Sequence, residues 1–410
     1  MVDDYMNENL LQENKNKKNF TTSEAIILVI VSLLVGLSIG LLYTKKTVTH
    51  SVDYSEDKYL DEFITNYNYI INNYYEEIDK STLIDNAISG MMESLDDYSV
   101  YIDEVESNNF SITLNGSYEG IGIQIAKAEE NGYMLVTGIF KDTPASEAGI
   151  KVGDYIVSID DKQASDMTSS EFSSIIRESK NSKFKIKVLR DQEEIALEIV
   201  RRPITLTSVS SEKYDIGEKK VGYIYIGIFA NNTLSQFEEE LLKLENEKID
   251  YLIIDVRGNT GGHLTSVDGI LDLFLDKNQI MYQFEKSGNR TPIYGTGNES
   301  KAYEIILIGD ESSASASEVL IAGLRENLNC KLFGMKTFGK GTVQELVTLS
   351  DGTQYKITTK KWLTPNGNWI NETDGIKPDV EIELDKKYYE TYDSSDDTQL
   401  QAVLDYIKEQ

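Results

Sequence analysis

Three short stretches of the chain hold residue types whose spacing suits chemistry. The first is Gly309-Asp310-Glu311-Ser312-Ser313-Ala314-Ser315-Ala316-Ser317-Glu318, between the apolar run Ile305–Ile308 and a helical pattern over Ala316–Asn327. A serine at such a junction lies near backbone N–H groups and the positive end of a helix dipole, which stabilise negative charge developing beside it. Ser313, Ser315 and Ser317 all qualify by position, and a serine-rich turn before a helix also serves as a plain cap. The second is Thr337-Phe338-Gly339-Lys340-Gly341-Thr342-Val343-Gln344. A lysine drawn inside a tight glycine loop loses solvent, its charged form is disfavoured, and the free amine can accept a proton. The plainer reading is a hairpin turn with a solvated lysine. A nucleotide-binding P-loop needs Ser or Thr after its lysine, and Gly341 stands there. The third is Asp255-Val256-Arg257-Gly258-Asn259-Thr260-Gly261-Gly262, after the apolar run Tyr251–Val256. Its glycines expose N–H groups at a helix start, where a phosphate or an oxyanion can be cradled. A serine with a lysine base is a working substitute for Ser-His, and with a nucleophile accepted the oxyanion reading of this loop leads.

Composition narrows the alternatives. The 410 residues allow two or three domains, and 40% hydrophobic with 27% charged residues permits a buried core. Forty Lys+Arg against 69 Asp+Glu give a net charge of −29, which repels phosphate backbones and argues against nucleic-acid binding. One cysteine, Cys330, excludes an internal disulfide and Cys-based metal sites. The only histidines, His50 and His263, leave little room for His-rich metal sites or a Ser-His-Asp triad. No metal, nucleotide or organic cofactor is implied.

These stretches need elements to position them. Residues 1–24 are polar. Ala25 to Tyr43 carry no charge and span ~28 Å as a helix, about the thickness of a bilayer core. No small-residue cleavage site follows, so an uncleaved signal anchor is expected. Lysines flank the run on both sides, and their balance does not fix its orientation. Residues 44–105 are expected to hold two amphipathic helices. The first carries Tyr59, Phe63, Tyr67, Ile70 and Ile71, and the second spans Ser81–Ser94 with Ser81 as its cap. They serve as a spacer or as an arm for a homodimer, and both readings stay open. Residues 106–203 read as one small domain. Its strands are Ile121–Ala126, Tyr133–Ile139, Tyr155–Ile159, Phe184–Arg190 and Ile195–Arg201, and its helix is Glu171–Glu178. Residues 204–390 alternate strands and helices, the pattern of parallel βα units, with Thr233 expected to cap a helix over Thr233–Glu247. The acidic tail is expected to be a solvated surface, ending in a short helix over Gln399–Lys408 within 391–410.

Together the three stretches resemble the carboxyl-terminal processing, or tail-specific, serine peptidases. Leu363-Thr364-Pro365-Asn366-Gly367 and Gly375-Ile376-Lys377-Pro378-Asp379 follow in the same order. The small domain resembles a PDZ module through Tyr118-Glu119-Gly120-Ile121-Gly122, Thr143-Pro144-Ala145-Ser146-Glu147-Ala148-Gly149-Ile150 and Val152-Gly153-Asp154. The resemblance covers roughly 55–385. It implies an α/β multidomain protein, with a crotonase-like and Clp-protease-like ββα core, an inserted or preceding PDZ domain, N-terminal helices and one transmembrane helix. It also implies that Ser315 is the nucleophile, Lys340 the general base and Gln344 the residue that orients the lysine. The N–H groups of Ala316 and Gly261 would form the oxyanion hole. Gly120, Ile121, Gly122 and Ile123 would receive a substrate's C-terminal carboxylate, with Arg177 relaying ligand binding. His263 departs from the apolar residue expected after the glycine pair.

The function expected is a membrane-anchored endopeptidase for proteins with exposed C-termini, single-pass, with its catalytic part outside the cytoplasm. The runner-up is a catalytically silent, PDZ-bearing peptide-binding scaffold. A trypsin-like enzyme is excluded, because its triad histidine must lie well upstream of the serine and His263 sits in a glycine loop.

Overall fold

The computed structural model describes residues 57–102, 111–128, 130–178, 182–297, 301–349, 353–391 and 393–410. The described residues fall into two units, divided between Leu83 and Ile84. The apolar run Ala25–Tyr43 lies outside the described residues. Among those described, no helix is long and apolar enough to cross a membrane.

In the first unit α1 (Lys58–Asn73) buries none of its residues, and its apolar Tyr59, Phe63 and Ile70 are exposed. Helix α2 (Lys80–Glu93) starts in this unit and ends in the second. Its cap is Asp79, whose carboxylate accepts from the Ser81 N–H and the Thr82 hydroxyl; the expected Ser81 cap is corrected. A carboxylate ahead of the first turn outcompetes a serine already inside it.

After α2 the second unit holds a strand absent from the sequence reading, β1 (Val100–Ile102). The PDZ-like module follows, with β2 (Ser117–Gly120), β3 (Ile123–Lys127), β4 (Met134–Ile139), α3 (Pro144–Ala148), β5 (Tyr155–Ile159) and β6 (Lys162–Gln163). It continues through α4 (Ser169–Glu178), β7 (Lys183–Arg190), β8 (Glu193–Val200) and β9 (Arg202–Thr205). Its sheet runs β3-β4-β5-β7-β8, with β6 beside β5. Met134, Val136, Ile156, Phe172, Phe184, Ile186 and Val188 fill its core. The entering strand β2 pairs antiparallel with the leaving strand β9, from Ser117 opposite Thr205 to Gly120 opposite Arg202.

The larger α/β core follows, with β10 (Val209–Ile216), β11 (Lys219–Ile226), α5 (Thr233–Asn246), β12 (Tyr251–Asp255), α6 (Leu264–Asp272), β13 (Ile280–Lys286) and β14 (Asn289–Tyr294). Next come β15 (Glu304–Gly309), α7 (Ala316–Leu328), β16 (Lys331–Gly334), β17 (Thr342–Thr348), β18 (Gln354–Leu363), β19 (Val380–Glu381), α8 (Tyr388–Thr391) and α9 (Thr398–Glu409). The main sheet has the order β10-β11-β12-β15-β16-β19, and every pair after β10–β11 is parallel. Every residue of β12 is buried, because both faces of the sheet are covered. Side chains alternate: Leu252 and Ile254 join the core under α5, α6 and α7, whereas Tyr251 and Ile253 meet Leu400, Val403 and Ile407 of α9. The second sheet is β1-β18-β13-β14, with β17 also on β18. Because β1 lies in this sheet, the PDZ module interrupts the core and does not merely precede it.

Two expectations are corrected here. Thr233 does not cap α5. Its hydroxyl accepts from the Ala230 N–H and donates to the Ile228 carbonyl, while Asn232 occupies the cap position. The acidic tail is not a solvated surface: α9 puts Leu400, Val403, Leu404 and Ile407 into the core and turns its charges outward. The apolar stripe at helical spacing outweighs the tail's charge density.

Candidate active site

Strand β15 ends at Gly309, and seven residues later α7 begins. The turn between them is held by side chains. The Asp310 carboxylate accepts from the N–H groups of Gly258, Ser312 and Ser313 at 3.0 to 3.1 Å. Ser313 donates to the Val256 carbonyl at 2.8 Å and Ser317 to the Asn259 carbonyl at 2.8 Å. Both hydroxyls are fully buried in these bonds. Ser315, between them, lines a cavity of about 850 Å³. Its backbone has φ 55° and ψ −110°, a left-handed conformation costly for a residue with a Cβ, and helical residues start directly after it.

The cost is met by Glu318. This fully buried carboxylate accepts from the Ser315 N–H at 2.8 Å, the Lys340 N–H at 2.9 Å, the Gly339 N–H at 2.7 Å and the Thr337 hydroxyl at 2.6 Å. One side chain therefore ties the serine turn to the lysine loop. Burial pushes its carboxyl up, while the four donors work in the opposite direction. Sequence reasoning gave Glu318 no role. The available signal was its place three residues after a serine at a helix start, the capping-box spacing.

Lys340 also lines the cavity, as do Gln344, Lys356, Trp362, Leu114, Ile228 and Leu264. Its loop is braced by tryptophans: Trp362 Nε1 donates to the Lys340 carbonyl and Trp369 Nε1 to the Gly341 carbonyl. The Lys340 Nζ stands 4.7 Å from the centre of the Tyr98 ring. Burial pushes its amine down to about 8; Lys356 adds to that shift, and Glu318 and Asp96 oppose it. Ser315 Oγ and Lys340 Nζ share the cavity with no hydrogen bond between them. Gln344 donates its amide N–H groups to Thr342 and Thr358, each at 3.0 Å, and not to or from Lys340. Thr358 in turn donates to Asp96. Asp96 and Tyr98, in the segment before β1, escaped the sequence reading because no local pattern there signals a site.

The glycine loop faces Ser315. A Cβ on Gly261 would lie 3.1 Å from the Ser315 Cβ and 3.2 Å from the Ala316 nitrogen. The Ala316 N–H has no acceptor among the described residues. The Gly261 N–H is donated to Asn259 Oδ1 at 2.9 Å in this conformation. The Gly262 N–H, also at the cavity, has no acceptor among the described residues. His263 lines the cavity as well; one ring nitrogen bonds the Leu114 main chain, and burial lowers its pKa.

In the PDZ-like module Gly120 lies in β2, Ile121 is buried in the module's core and Ile123 opens β3. The carbonyls of Ile121 and Gly122 accept from Ala145 and Phe140. The N–H groups of Ile121 and Gly122 have no acceptor among the described residues. Arg177 lies on α4 and donates to the Ser174 hydroxyl.

The profile described as peptidase family S41 matches residues 220–382, a PDZ domain profile matches 120–200, and one described as the activating protease CtpB N-terminal domain matches 41–106. The chain is 38% identical over 338 residues to the carboxy-terminal processing protease CtpB of Bacillus subtilis, covering 82% of this chain and 70% of that protein. To CtpA of the same organism it is 35% identical over 331 residues, covering 80% and 70%. To a probable CtpA-like serine protease of Staphylococcus aureus it is 34% identical over 325 residues, covering 78% and 64%. The chain belongs to peptidase family S41. It is a serine peptidase of mixed α/β fold with a PDZ domain.

Proposed function

We propose that this S41 peptidase cleaves with a Ser315–Lys340 dyad and selects substrates by their free C-termini. The observation that carries the dyad is the shared cavity: of the four serines in this stretch, only Ser315 lines it, together with a lysine whose amine is pushed down to about 8. The neutral Lys340 amine takes the Ser315 proton as Oγ attacks the scissile carbonyl, and returns that proton to the leaving amine. Water, deprotonated by the same amine, then releases the acyl group from Ser315. For this the lysine side chain turns from Tyr98 to Ser315, a rotamer change of a kind common when apo sites engage substrate. Gln344 orients the lysine in that arrangement. The Ala316 N–H and the Gly261–Gly262 amides receive the oxyanion, Gly262 being the one without an internal acceptor.

The free N–H groups at Ile121 and Gly122 support carboxylate capture by the PDZ domain, with Arg177 on the neighbouring helix relaying occupancy. The names of the Bacillus relatives agree with a tail-processing role. The core is taken as crotonase-like, and Ala25–Tyr43 as a single-pass anchor that leaves the catalytic part outside the cytoplasm.

The test is cleavage of an unfolded protein with an apolar C-terminus. Ser315→Ala and Lys340→Ala should each abolish it without loss of fold. If Ser315→Ala cleaves normally and Ser313→Ala or Ser317→Ala does not, the nucleophile is misassigned. For the anchor, membrane fractionation and protease accessibility in intact cells provide the check; recovery in the soluble fraction would refute it.

A further inference from the structure

The C-terminal helix reaches the glycine loop through one buried guanidinium. Arg257 lies two residues beyond the end of β12, in the loop that ends in Gly261–Gly262. Its Nε donates to both Asp255 oxygens at 2.8 and 3.0 Å. Its Nη1 donates to Asp397 Oδ1 and Gln399 Oε1, both at 2.9 Å, and its Nη2 to Asp397 Oδ2 at 2.8 Å. The Arg257–Asp397 contact is thus bidentate, the geometry that fixes orientation as well as distance. Asp255, Asp397 and Gln399 are all at most 2% exposed. Asp397 also caps α9 by accepting from the Leu400 N–H, and Gln399 donates to the Ile382 carbonyl. None of these residues lines the cavity.

From Arg257 the bonding runs straight to the chemistry. Gly258, next along, is held by Asp310 of the serine turn. Asn259 then accepts at its carbonyl from the Ala314 N–H and the Ser317 hydroxyl, and its side chain holds Gly261. The loop is pegged at its head by α9 and along its length by the nucleophile's turn.

We propose that Asp397 and Gln399 are positioning residues for peptide hydrolysis: through Arg257 they hold the Gly258–Gly262 amides in register with Ser315. The proposal rests on the assignment of Ser315 and of this loop's oxyanion role. A buried pair of this kind adds little net stability, so its bidentate geometry fits orientation of the loop better than anchoring of the helix.

The experiment compares Asp397→Asn and Gln399→Met with Leu404→Ala, which loosens the same helix by a core cavity alone. Each is made in the whole chain and assayed well below its melting temperature. For Asp397→Asn, kcat should fall about tenfold or more with KM within twofold, and the affinity of a peptide boronate that forms a tetrahedral adduct with the serine should fall in parallel. Gln399→Met, which keeps both carboxylates, should show a smaller loss of the same kind and covers the case in which Asp397→Asn does not fold. Leu404→Ala should lower the melting temperature and leave kcat unchanged. Unchanged kcat and boronate affinity in the folded Asp397 or Gln399 variant would overturn the proposal, as would an equal kcat loss in Leu404→Ala. Failure of the underlying assignment is separable, because it shows in the unmutated enzyme as a boronate that does not modify Ser315.

Discussion

A single carboxylate, Glu318, receives four donors from the serine turn and the lysine loop, and its substitution is the sharpest residue-level test. Glu318→Gln keeps the shape but places an NH₂ against N–H groups. Stability should drop by roughly 2–4 kcal/mol, and activity should fall further than stability explains, because a buried donor facing donors is left unpaired. Chemical denaturation and cleavage rates measure the two effects. Lys340 sets the pH behaviour. Activity should rise as pH climbs through about 8, the value to which burial pushes its amine. His263→Leu should leave that rise in place; loss of the alkaline limb would make the histidine the titrating base. The stability effect has the opposite sign from that of an ion pair. The folded pKa lies below the ordinary 10.5, so a protonated Lys340 costs stability below about 8, and the cost fades as pH rises from there to 10.5. Lys340→Met should therefore stabilise the protein by roughly 1–2 kcal/mol at pH 7, and by nothing near pH 11.

At the scale of elements, the glycine loop discriminates between two substitutions that look alike in sequence. A Cβ on Gly262 would stand 2.2 Å from the Phe229 carbonyl oxygen at φ 136°. Gly262→Ala must displace the loop from Ser315, and its turnover should fall at least tenfold. Gly258→Ala meets nothing nearer than the Tyr225 hydroxyl at 3.9 Å and should cost only about 1 kcal/mol of backbone strain. Steady-state kinetics on both variants decides this. The elements that carry these loops were legible in sequence wherever their signal is local. Buried runs such as Tyr251–Val256 and Ile305–Ile308 mark central parallel strands by their length and lack of alternation. Strand β1 was not legible, since three residues are too few for a period and its partner β18 is remote. Nor was the role of Arg257, whose meaning depends on Asp397, 140 residues away. The three serines were distinguishable only once Ser313 and Ser317 were seen to be consumed by main-chain carbonyls of the glycine loop.

For the whole molecule, the paired stems β2 and β9 permit removal of the PDZ domain with little distortion, since the cut ends are neighbours in a strand pair. Substrates with a free apolar C-terminus should be cleaved much faster than their amides. The amide loses the charge and presents a donor to the Ile121 and Gly122 donors, whereas a carboxylate gains roughly 1.5–3 kcal/mol per charge-assisted bond. Deleting 118–204 should abolish the difference. If the preference for the acid persists after deletion, the carboxylate is read by the core instead. Equal rates for acid and amide in the intact enzyme would sink tail recognition altogether.

The bond from Thr358 to Asp96 closes a span of 262 residues, and β1 beside β18 closes a similar one. Contacts so distant along the chain form late, after local helices and the PDZ module. During synthesis the ribosome must therefore deliver β18 before Tyr98 can meet Lys340, and α9 before Arg257 finds Asp397. A nascent peptidase is thus expected to stay silent until both β18 and α9 have been made, so that shorter copies threaten neither themselves nor their neighbours. Stalled chains ending before residue 392 should show no hydrolysis, and activity should appear abruptly once α9 is included; early activity in the shorter chains would contradict this.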